Sequence, residues 1–456
     1  MNNLYILTEE RPKNHIVQQI IELFGQKYSR DVEIINLRIL PEIINGKHDF
    51  NYEITGVNIS NIDKIRLKVV SGDSSFVDYL IYESHEFPNE NQKEGLKLII
   101  EETKTGDDES RNTGVYQRIS KFIYSDYLLD EVPKIMIYND SNYDPKKTPS
   151  DTSIFGTNML LTQNVEIIGK NMEYFKKFDS IDEMIDFKDA MGSPPQNNVP
   201  IKIKKFPNKI TVSGRLSKPK DKGNIAHDPN IGALTSIAYT LRLLGWDKDI
   251  IIEKHGVNQE YLHNRRRSNK FLTLATFLDV KLEGVDFDVS NYLPTRYWHY
   301  EMRSEKITTI FLHVLSINKN SDIKSIYDNH AGGERGYFTL KDESEETINK
   351  RNRQGNVIAI PDLVLINKKT KEMLVIEGKQ SSRLQNGLIE IESYDLIEQE
   401  YLRREYPEYK ISRWVTTFGE NIYSNGLDDE VLIHINLDGE ILINQNAPKW
   451  IEELVF

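Results

Sequence analysis

The stretch IPDLVLINKKTKEMLVIEGKQ (360–380) consists of two apolar runs joined by the polar turn KKTK. Each run has the length and composition of a buried β-strand, so the stretch predicts a hairpin. Asp362 begins the first strand and Glu377 ends the second, so the hairpin would bring these two acids close together. Lys379 lies two residues after Glu377 and therefore projects from the same face of its strand. The sequence thus predicts two acids and a lysine at one edge of a sheet.

Two acids and a lysine in this arrangement suit the hydrolysis of a phosphodiester. The reaction requires an activated water, charge neutralisation at phosphorus and help for the leaving oxygen, and Mg²⁺ can supply all three. Mg²⁺ prefers oxygen ligands and keeps several waters, so Asp362, Glu377 and the carbonyl of Gly378 would be sufficient protein ligands. Lys379 would then orient or deprotonate the attacking water. Mg²⁺ is therefore the expected cofactor.

These residues resemble the motif of a known family. Pro361-Asp362, with fifteen residues from Asp362 to Glu377 and then Glu377-Gly378-Lys379, is similar to the motif of the PD-(D/E)xK nuclease superfamily. That superfamily includes most type II restriction endonucleases. The resemblance implies a mixed sheet flanked by helices, in the order α-β-β-β-α-β. It also implies that Asp362 and Glu377 bind Mg²⁺ and that Lys379 assists the nucleophile.

The elements predicted around the motif follow the order of that core. Apolar periodicity predicts a helix over 296–315 before the hairpin, a helix over 388–406 after it, and then a strand over 410–418. Pro407 ends the second of these helices. We therefore expect residues 291–456 to form a nuclease domain.

The first part of the chain, 1–150, repeats this order with a different sequence. The predicted helices are 15–27 and 110–129, and the predicted strands are 32–40, 62–70, 76–82, 96–104 and 134–138. The repeated order predicts an N-terminal nuclease-like domain over 1–150.

This N-terminal domain contains a second candidate set of two acids and a lysine. Asp78 lies on one strand, and Glu102 and Lys104 end the next strand. By the resemblance, Asp78 and Glu102 would bind Mg²⁺ and Lys104 would be catalytic. Val77 stands where the motif has proline, and the gap from Asp78 to Glu102 is 24 residues. Glu101 is an alternative acid, although its side chain would face away from Lys104.

Residues 151–290 differ from both flanking blocks and predict a central linker and DNA-contacting region. Several prolines and a run of lysines favour extended, basic chain over 193–222. Basic and amide side chains here and after Lys104 are of the types that contact phosphates and base edges. The alternatives are a solvated linker and a polar helix start. The candidate DNA-binding residues are Arg111, Asn112, Gln117, Arg118, Lys202, Lys204, Lys205, Arg265, Arg266 and Arg267.

Taken together, these patterns predict an α/β fold. It would have two PD-(D/E)xK-like mixed-sheet cores flanked by helices and joined by a central α-rich or mixed region. The chain of 456 residues is long enough for two or three domains.

Composition excludes some kinds of site. The chain has no cysteine, which excludes disulfides and cysteine-rich zinc sites. It has no run of eighteen apolar residues, which argues against a membrane span. The first fifteen residues do not have the pattern of a signal peptide, so we expect a cytoplasmic protein, and the resemblance to restriction endonucleases implies a prokaryotic one. The net charge of −12 argues against non-specific electrostatic binding along the whole chain, and only a local basic surface is needed for DNA.

The expected function is site-specific, Mg²⁺-dependent cleavage of duplex DNA by a type II restriction endonuclease. Two unlike sites in one chain would each cut one strand, and the expected partner besides DNA is a cognate DNA methyltransferase of the host. One alternative is a homodimer in which only the C-terminal site works and the N-terminal core recognises DNA. Others are a repair, branched-DNA or modification-dependent nuclease, and a non-catalytic DNA-binding protein with relic nuclease folds.

Overall fold

The computed structural model describes most of the chain. The described residues are 2–72, 76–104, 114–129, 131–139, 144–191, 201–215, 228–255, 273–283, 296–300, 306–319, 321–329, 335–349, 357–423 and 426–456.

The described ranges contain both strands and helices. The strands are β1 (Asn2–Thr8), β2 (Val32–Ile44), β3 (Lys47–Ile59), β4 (Ile62–Gly72), β5 (Tyr79–Ser84), β6 (Leu96–Thr103), β7 (Lys134–Tyr138), β8 (Val165–Ile168), β9 (Lys202–Lys205), β10 (Lys209–Arg215), β11 (Asp249–His255), β12 (Val280–Leu282), β13 (Trp298–Tyr300), β14 (Ile323–Ser325), β15 (Tyr327–Asn329), β16 (Arg335–Thr339), β17 (Glu345–Asn349), β18 (Leu363–Asn367), β19 (Glu372–Gln380), β20 (Lys410–Gly419), β21 (Val431–Asn436) and β22 (Ile441–Ile443). The longer helices are α1 (Asn14–Lys27), α2 (Gly114–Leu128), α3 (Asp151–Thr162), α4 (Ile181–Ala190), α5 (Asp228–Leu243), α6 (Lys306–Asn318), α7 (Leu384–Glu392) and α8 (Lys449–Val455).

By their internal contacts, the residues form two compact units. Unit 1 contains 1–71, 84–87 and 300–456, and unit 2 contains 72–83 and 88–299. The first 71 residues thus group with the C-terminal part of the chain. The sequence analysis instead places these residues in a domain of 1–150, and its boundaries at 150 and 290 stay a prediction.

The central sheet of unit 1 has the strand order β14-β18-β19-β20-β21-β22. β18 and β19 form the predicted antiparallel hairpin, whereas β19, β20 and β21 run parallel. Successive side chains of a strand point to opposite faces of the sheet, and here both faces are covered. Leu374 and Ile376 pack with α6 and α8, and Met373 and Val375 pack with α7 and the helical segment 395–405. The sheet is therefore a buried central layer.

The N-terminal strands of unit 1 form a sheet portion in the order β2-β3-β4-β1. β2, β3 and β4 are antiparallel neighbours, and β1 pairs with β4 in parallel. The hairpin between β2 and β3 turns at Asn45 and Gly46, both with positive φ, as a type I′ turn requires. Asn318 of α6 accepts hydrogen bonds from the Ile39 amide and the Asn14 side chain, each at 2.9 Å. These bonds connect the N-terminal segment to α6 within unit 1.

A buried histidine in this segment should make unit 1 sensitive to acid. His48 is 2 % exposed and packs against the rings of Phe50, Tyr52 and Phe311. Burial lowers the pKa of His48 from 6.5 to about 4, although the Glu42 carbonyl partly opposes the shift. Below pH 6.5, His48 therefore binds a proton in the unfolded chain, whereas in the folded chain it stays neutral until the pH approaches 4.

We expect this histidine to lower the free energy of unfolding by about 1.4 kcal/mol per pH unit as pH falls from 6.5 towards 4. His48→Gln should remove that slope, and the exposed His15→Gln should keep it. Thermal denaturation at pH 7, 6 and 5 provides the measurement. Equal slopes for the two variants would show that His48 is not responsible.

Unit 2 contains two sheets of the same design. In the first, β5 and β6 form an antiparallel hairpin, and β6, β7 and β8 run parallel. In the second, β9 and β10 form the hairpin, and β10, β11 and β12 run parallel. α2 follows the hairpin of the first sheet, and α5 follows that of the second. The arrangement is that of the β18–β21 strands of unit 1.

The helices α2 and α5 pack directly against each other. A Cβ at Gly232 of α5 would lie 2.5 Å from the carbonyl oxygen of Tyr116 in α2. Only glycine allows two helix backbones to come this close without displacing one of them. The two sheets of unit 2 are thus joined through corresponding helices.

The mixed α/β class predicted from the sequence is confirmed. The helix predicted over 296–315 is wrong in its first part, because Trp298–Tyr300 is a strand and the helix is Lys306–Asn318. Aromatic residues such as those in the Trp-His-Tyr run favour strands. Among the described helices, none has the length and apolar character that crossing a membrane requires.

Candidate active site

The register of the β18–β19 hairpin places the predicted acids side by side. Leu363 pairs with Ile376, so Asp362 and Glu377 follow directly beyond that pair. The amide of Gly378 donates a hydrogen bond of 2.9 Å to Oδ2 of Asp362. The backbone of one acid-bearing strand therefore fixes the carboxylate of the other.

Lys379 lies on the same face as Glu377, as the strand spacing predicts. Its Nζ lies 2.5 Å from Oε1 of Glu377 and 2.9 Å from Oε2 of Glu390 on α7. The lysine is only 7 % exposed. Gly387 makes this burial possible, because a Cβ there would lie 2.8 Å from Cγ of Lys379. α7 thus covers the lysine stem and brings a third acid to its ammonium group.

A tyrosine hydroxyl forms a hydrogen bond with the second carboxylate oxygen of Glu377. The hydroxyl of Tyr394, itself buried, donates a hydrogen bond to Oε2 of Glu377. Lys379 contacts Oε1, so both carboxylate oxygens have partners. On the opposite face, Thr308 of α6 donates to Thr416 of β20 at 2.9 Å. Packing on both faces of the sheet therefore holds the site in place.

Asp362 and Glu377 are close together and buried, and the pKa values of both are raised. Burial, nearby Asp362 and the hydrogen bond with Glu390 raise the pKa of Glu377 to about 9, against the opposing effect of Lys379. Burial also raises the pKa of Asp362. Burial alone would lower the pKa of Lys379, but Glu377 and Glu390 raise it above its ordinary value. The lysine is therefore protonated at neutral pH.

These donors fit a hard divalent cation. In the described ranges, no group of three or more His, Cys, Asp or Glu is arranged to hold a metal ion. Mg²⁺ needs fewer protein ligands, because it usually keeps several waters and takes one or two carboxylates. Asp362 and Glu377 supply two carboxylates whose crowding a cation would relieve. The residues present thus fit Mg²⁺.

Three neighbours of this site have no signature in the sequence motif. Glu390 and Tyr394 come from the helical segment after β19, and Arg11 comes from the N-terminal segment of the same unit. The guanidinium of Arg11 donates to the main-chain carbonyls of Asp362 and Tyr327. Helical spacing alone does not reveal which face of α7 lies over β19. These contacts therefore require the tertiary structure.

The structure brings the N-terminal set of Asp78, Glu102 and Lys104 together only in part. Asp78 lies at the start of its hairpin, and its carboxylate forms an ion pair of 3.2 Å with Lys121 of α2. Glu101, rather than Glu102, shares that lysine, at 2.5 Å, and accepts the Asp78 amide at 3.2 Å. Burial and Asp78 raise the pKa of Glu101 to about 8, whereas Lys121 opposes the shift.

The residues predicted beside Asp78 have other positions. Glu102 contributes its backbone amide to Asp78, and its carboxylate accepts a hydrogen bond of 3.2 Å from Asn139. Lys104 is half-buried just beyond the end of β6. Glu102 and Lys104 share one face of the strand, and the hairpin register assigns Glu101 to the other. Whether they take part in chemistry stays a prediction.

The candidate DNA-binding residues are only partly described. Arg111, Asn112, Arg265, Arg266 and Arg267 lie outside the described residues. Gln117 and Arg118 are half-buried on α2, where Arg118 donates to Oγ1 of Thr103 at 2.8 Å. The side chains of Lys202, Lys204 and Lys205 are exposed along β9. Lys205 forms an ion pair of 2.6 Å with Asp182.

Comparison with protein-family models, curated proteins and solved structures gave no significant match for this chain.

Proposed function

We propose that the chain is a Mg²⁺-dependent DNA endonuclease that hydrolyses phosphodiester bonds in duplex DNA. The C-terminal site would perform the hydrolysis, with Asp362 and Glu377 as metal ligands and Lys379 beside them. The observation that carries the proposal is the juxtaposition of these three side chains on one hairpin edge, followed by two parallel strands. The site-specific, type II restriction role is the part that rests on the resemblance of the motif.

The residues of the site would hold the reacting groups in position. The amide of Gly378 fixes Asp362, and Tyr394 with Lys379 fixes both oxygens of Glu377. A bound Mg²⁺ would supply the activated water and neutralise charge at phosphorus. In the hydrolysis, a P–O bond to the water oxygen forms and the P–O bond to one sugar oxygen breaks. One proton passes from the water to that sugar oxygen through solvent.

Lys379 has two predicted roles, to orient or deprotonate the attacking water and to offset negative charge on the phosphate. The neighbouring acids raise its pKa, so without a metal ion the side chain is an ammonium group.

The wider role follows the restriction–modification hypothesis. We propose a cytoplasmic protein of a prokaryote whose host DNA is protected by a cognate DNA methyltransferase. With two working sites, a single chain would cut both strands. If only the C-terminal site works, a homodimer would be required to cut both strands, because the strands of a duplex run in opposite directions.

Digestion of supercoiled plasmids and varied genomic DNA tests the proposal. With Mg²⁺ we expect discrete fragments, and with EDTA we expect uncut DNA. A smear in place of discrete bands would contradict site specificity but not hydrolysis. No cutting of any DNA, with methylated and unmethylated substrates both included, would overturn the proposed function.

A further inference from the structure

The two hairpins of unit 1 and unit 2 have the same register at their acids. In unit 1, Leu363 pairs with Ile376, and Glu377 is the next residue. In unit 2, Tyr79 pairs with Ile100, and Glu101 is the next residue. Position by position, Glu101 therefore corresponds to Glu377. The string Glu-Thr-Lys at 102–104 is displaced from this position by one residue.

A hydrogen bond repeats the same correspondence. The residue after each acid donates its backbone amide to the aspartate at the start of the hairpin. Gly378 donates to Oδ2 of Asp362 at 2.9 Å, and Glu102 donates to Oδ2 of Asp78 at 2.7 Å. The two aspartates are thus held by equivalent backbone groups.

The lysine has a different place in the two units. Two residues after the acid, unit 1 has Lys379 and unit 2 has Thr103. The ammonium group in unit 2 comes instead from Lys121, which lies on the helix that follows the strand. Its Nζ contacts Oε1 of Glu101 at 2.5 Å, the distance that Lys379 has to Oε1 of Glu377.

A purely structural ion pair would be expected to look different. In the same unit, Lys134 pairs with the single carboxylate of Asp126, at 2.5 Å and almost fully buried. Lys121, by contrast, is shared by two carboxylates and is 26 % exposed. Two carboxylates share this one ammonium group, so a bound cation could offset further negative charge. Arg118 is a further cation near this cluster, and it donates to Thr103.

We propose that Asp78, Glu101 and Lys121 form a second site that binds a divalent cation and cuts DNA. This inference rests on the proposed function for its chemistry, which is the same hydrolysis. Its lysine is supplied by α2 and not by the acid-bearing strand. Lys121 would be a catalytic residue, and Thr103 would occupy the strand position that Lys379 has in the other unit.

Cation binding tests the assignment without any cutting. Mn²⁺ is titrated into the protein and free Mn²⁺ is followed by electron paramagnetic resonance. Glu101→Gln should bind one Mn²⁺ fewer per chain than the wild type, and the exposed Glu94→Gln should bind as many as the wild type. Loss of a site in Glu102→Gln but not in Glu101→Gln would overturn the proposal, as would no loss in Glu101→Gln. Circular dichroism shows that each variant is folded.

Plasmid digestion tests the chemistry of the lysine. Where the wild type linearises supercoiled plasmid, Lys121→Met should only nick it, and the β6 variant Lys97→Met should still linearise it. Nicking by Lys104→Met together with linearisation by Lys121→Met would overturn the assignment in favour of Lys104. If the wild type cuts no DNA, the proposed function fails. The Mn²⁺ count of Glu101→Gln still decides whether the second cation site exists.

Discussion

Lys379→Met should reduce the rate of DNA cleavage at the C-terminal site by about two to three orders of magnitude, as does the loss of a single charge-stabilising group in other enzymes. The methionine keeps the length of the stem that packs beneath Gly387 and removes only the ammonium group. Glu377 keeps its bond from Tyr394, so the acids should stay in place. Mg²⁺ should therefore still raise the melting temperature of the variant.

The matched control is Lys369→Met, in the exposed turn between β18 and β19. It removes a positive charge from the same hairpin at a distance from the acids. Single-turnover cleavage of a duplex at saturating enzyme gives the rate without a contribution from product release. A Lys379→Met enzyme that cuts at the wild-type rate would show that the lysine has no part in the chemistry.

Asp126→Ala should be among the most destabilising single substitutions in unit 2. Oδ2 of Asp126 accepts hydrogen bonds from Lys134 at 2.5 Å and from Tyr239 at 2.9 Å. The Asp126 and Lys134 side chains are 6 % and 3 % exposed. Removing the acid leaves a buried ammonium group without this partner, which costs about 3–5 kcal/mol. Asp126 joins α2 to β7 through Lys134 and to α5 through Tyr239, so its loss should also loosen the helix that bears Lys121.

Two comparisons make this prediction specific. Asp249→Ala breaks an exposed ion pair with Lys281, which should cost far less, because water screens exposed charges. The double variant Asp126→Ala, Lys134→Met should recover much of the loss, because it removes the buried charge as well. Chemical denaturation measures all three. If Asp126→Ala destabilised no more than Asp249→Ala, the buried pair would not be an important contact.

The C-terminal site could be predicted from the sequence because it is local. A four-residue turn joins β18 and β19, so the register that brings Asp362 to Glu377 follows from the apolar pattern. Strand alternation then places Lys379 beside Glu377. The polar turn itself is specified by Asn367, whose side chain accepts the amides of Lys369 and Thr370.

The contacts of Asp78 could not be predicted in the same way. A long polar loop separates β5 from β6, so the sequence did not specify whether Glu101 or Glu102 faces Asp78. A one-residue difference in register moves a side chain to the other face of the sheet. Lys121 and Glu390 lie on helices, and only the packing of α2 and α7 brings them to the acids. Letters in a motif contain no information about such contacts.

The most direct test of the central claim is cation binding and cleavage in Glu377→Gln. The substitution keeps the shape of the side chain and removes the charge that would hold Mg²⁺. Measured with the wild type in one experiment, the variant should lose one Mn²⁺ per chain and the cleavage of the DNA strand assigned to this site. A variant that binds and cuts like the wild type would contradict the assignment of Asp362, Glu377 and Lys379 as a metal-dependent nuclease site.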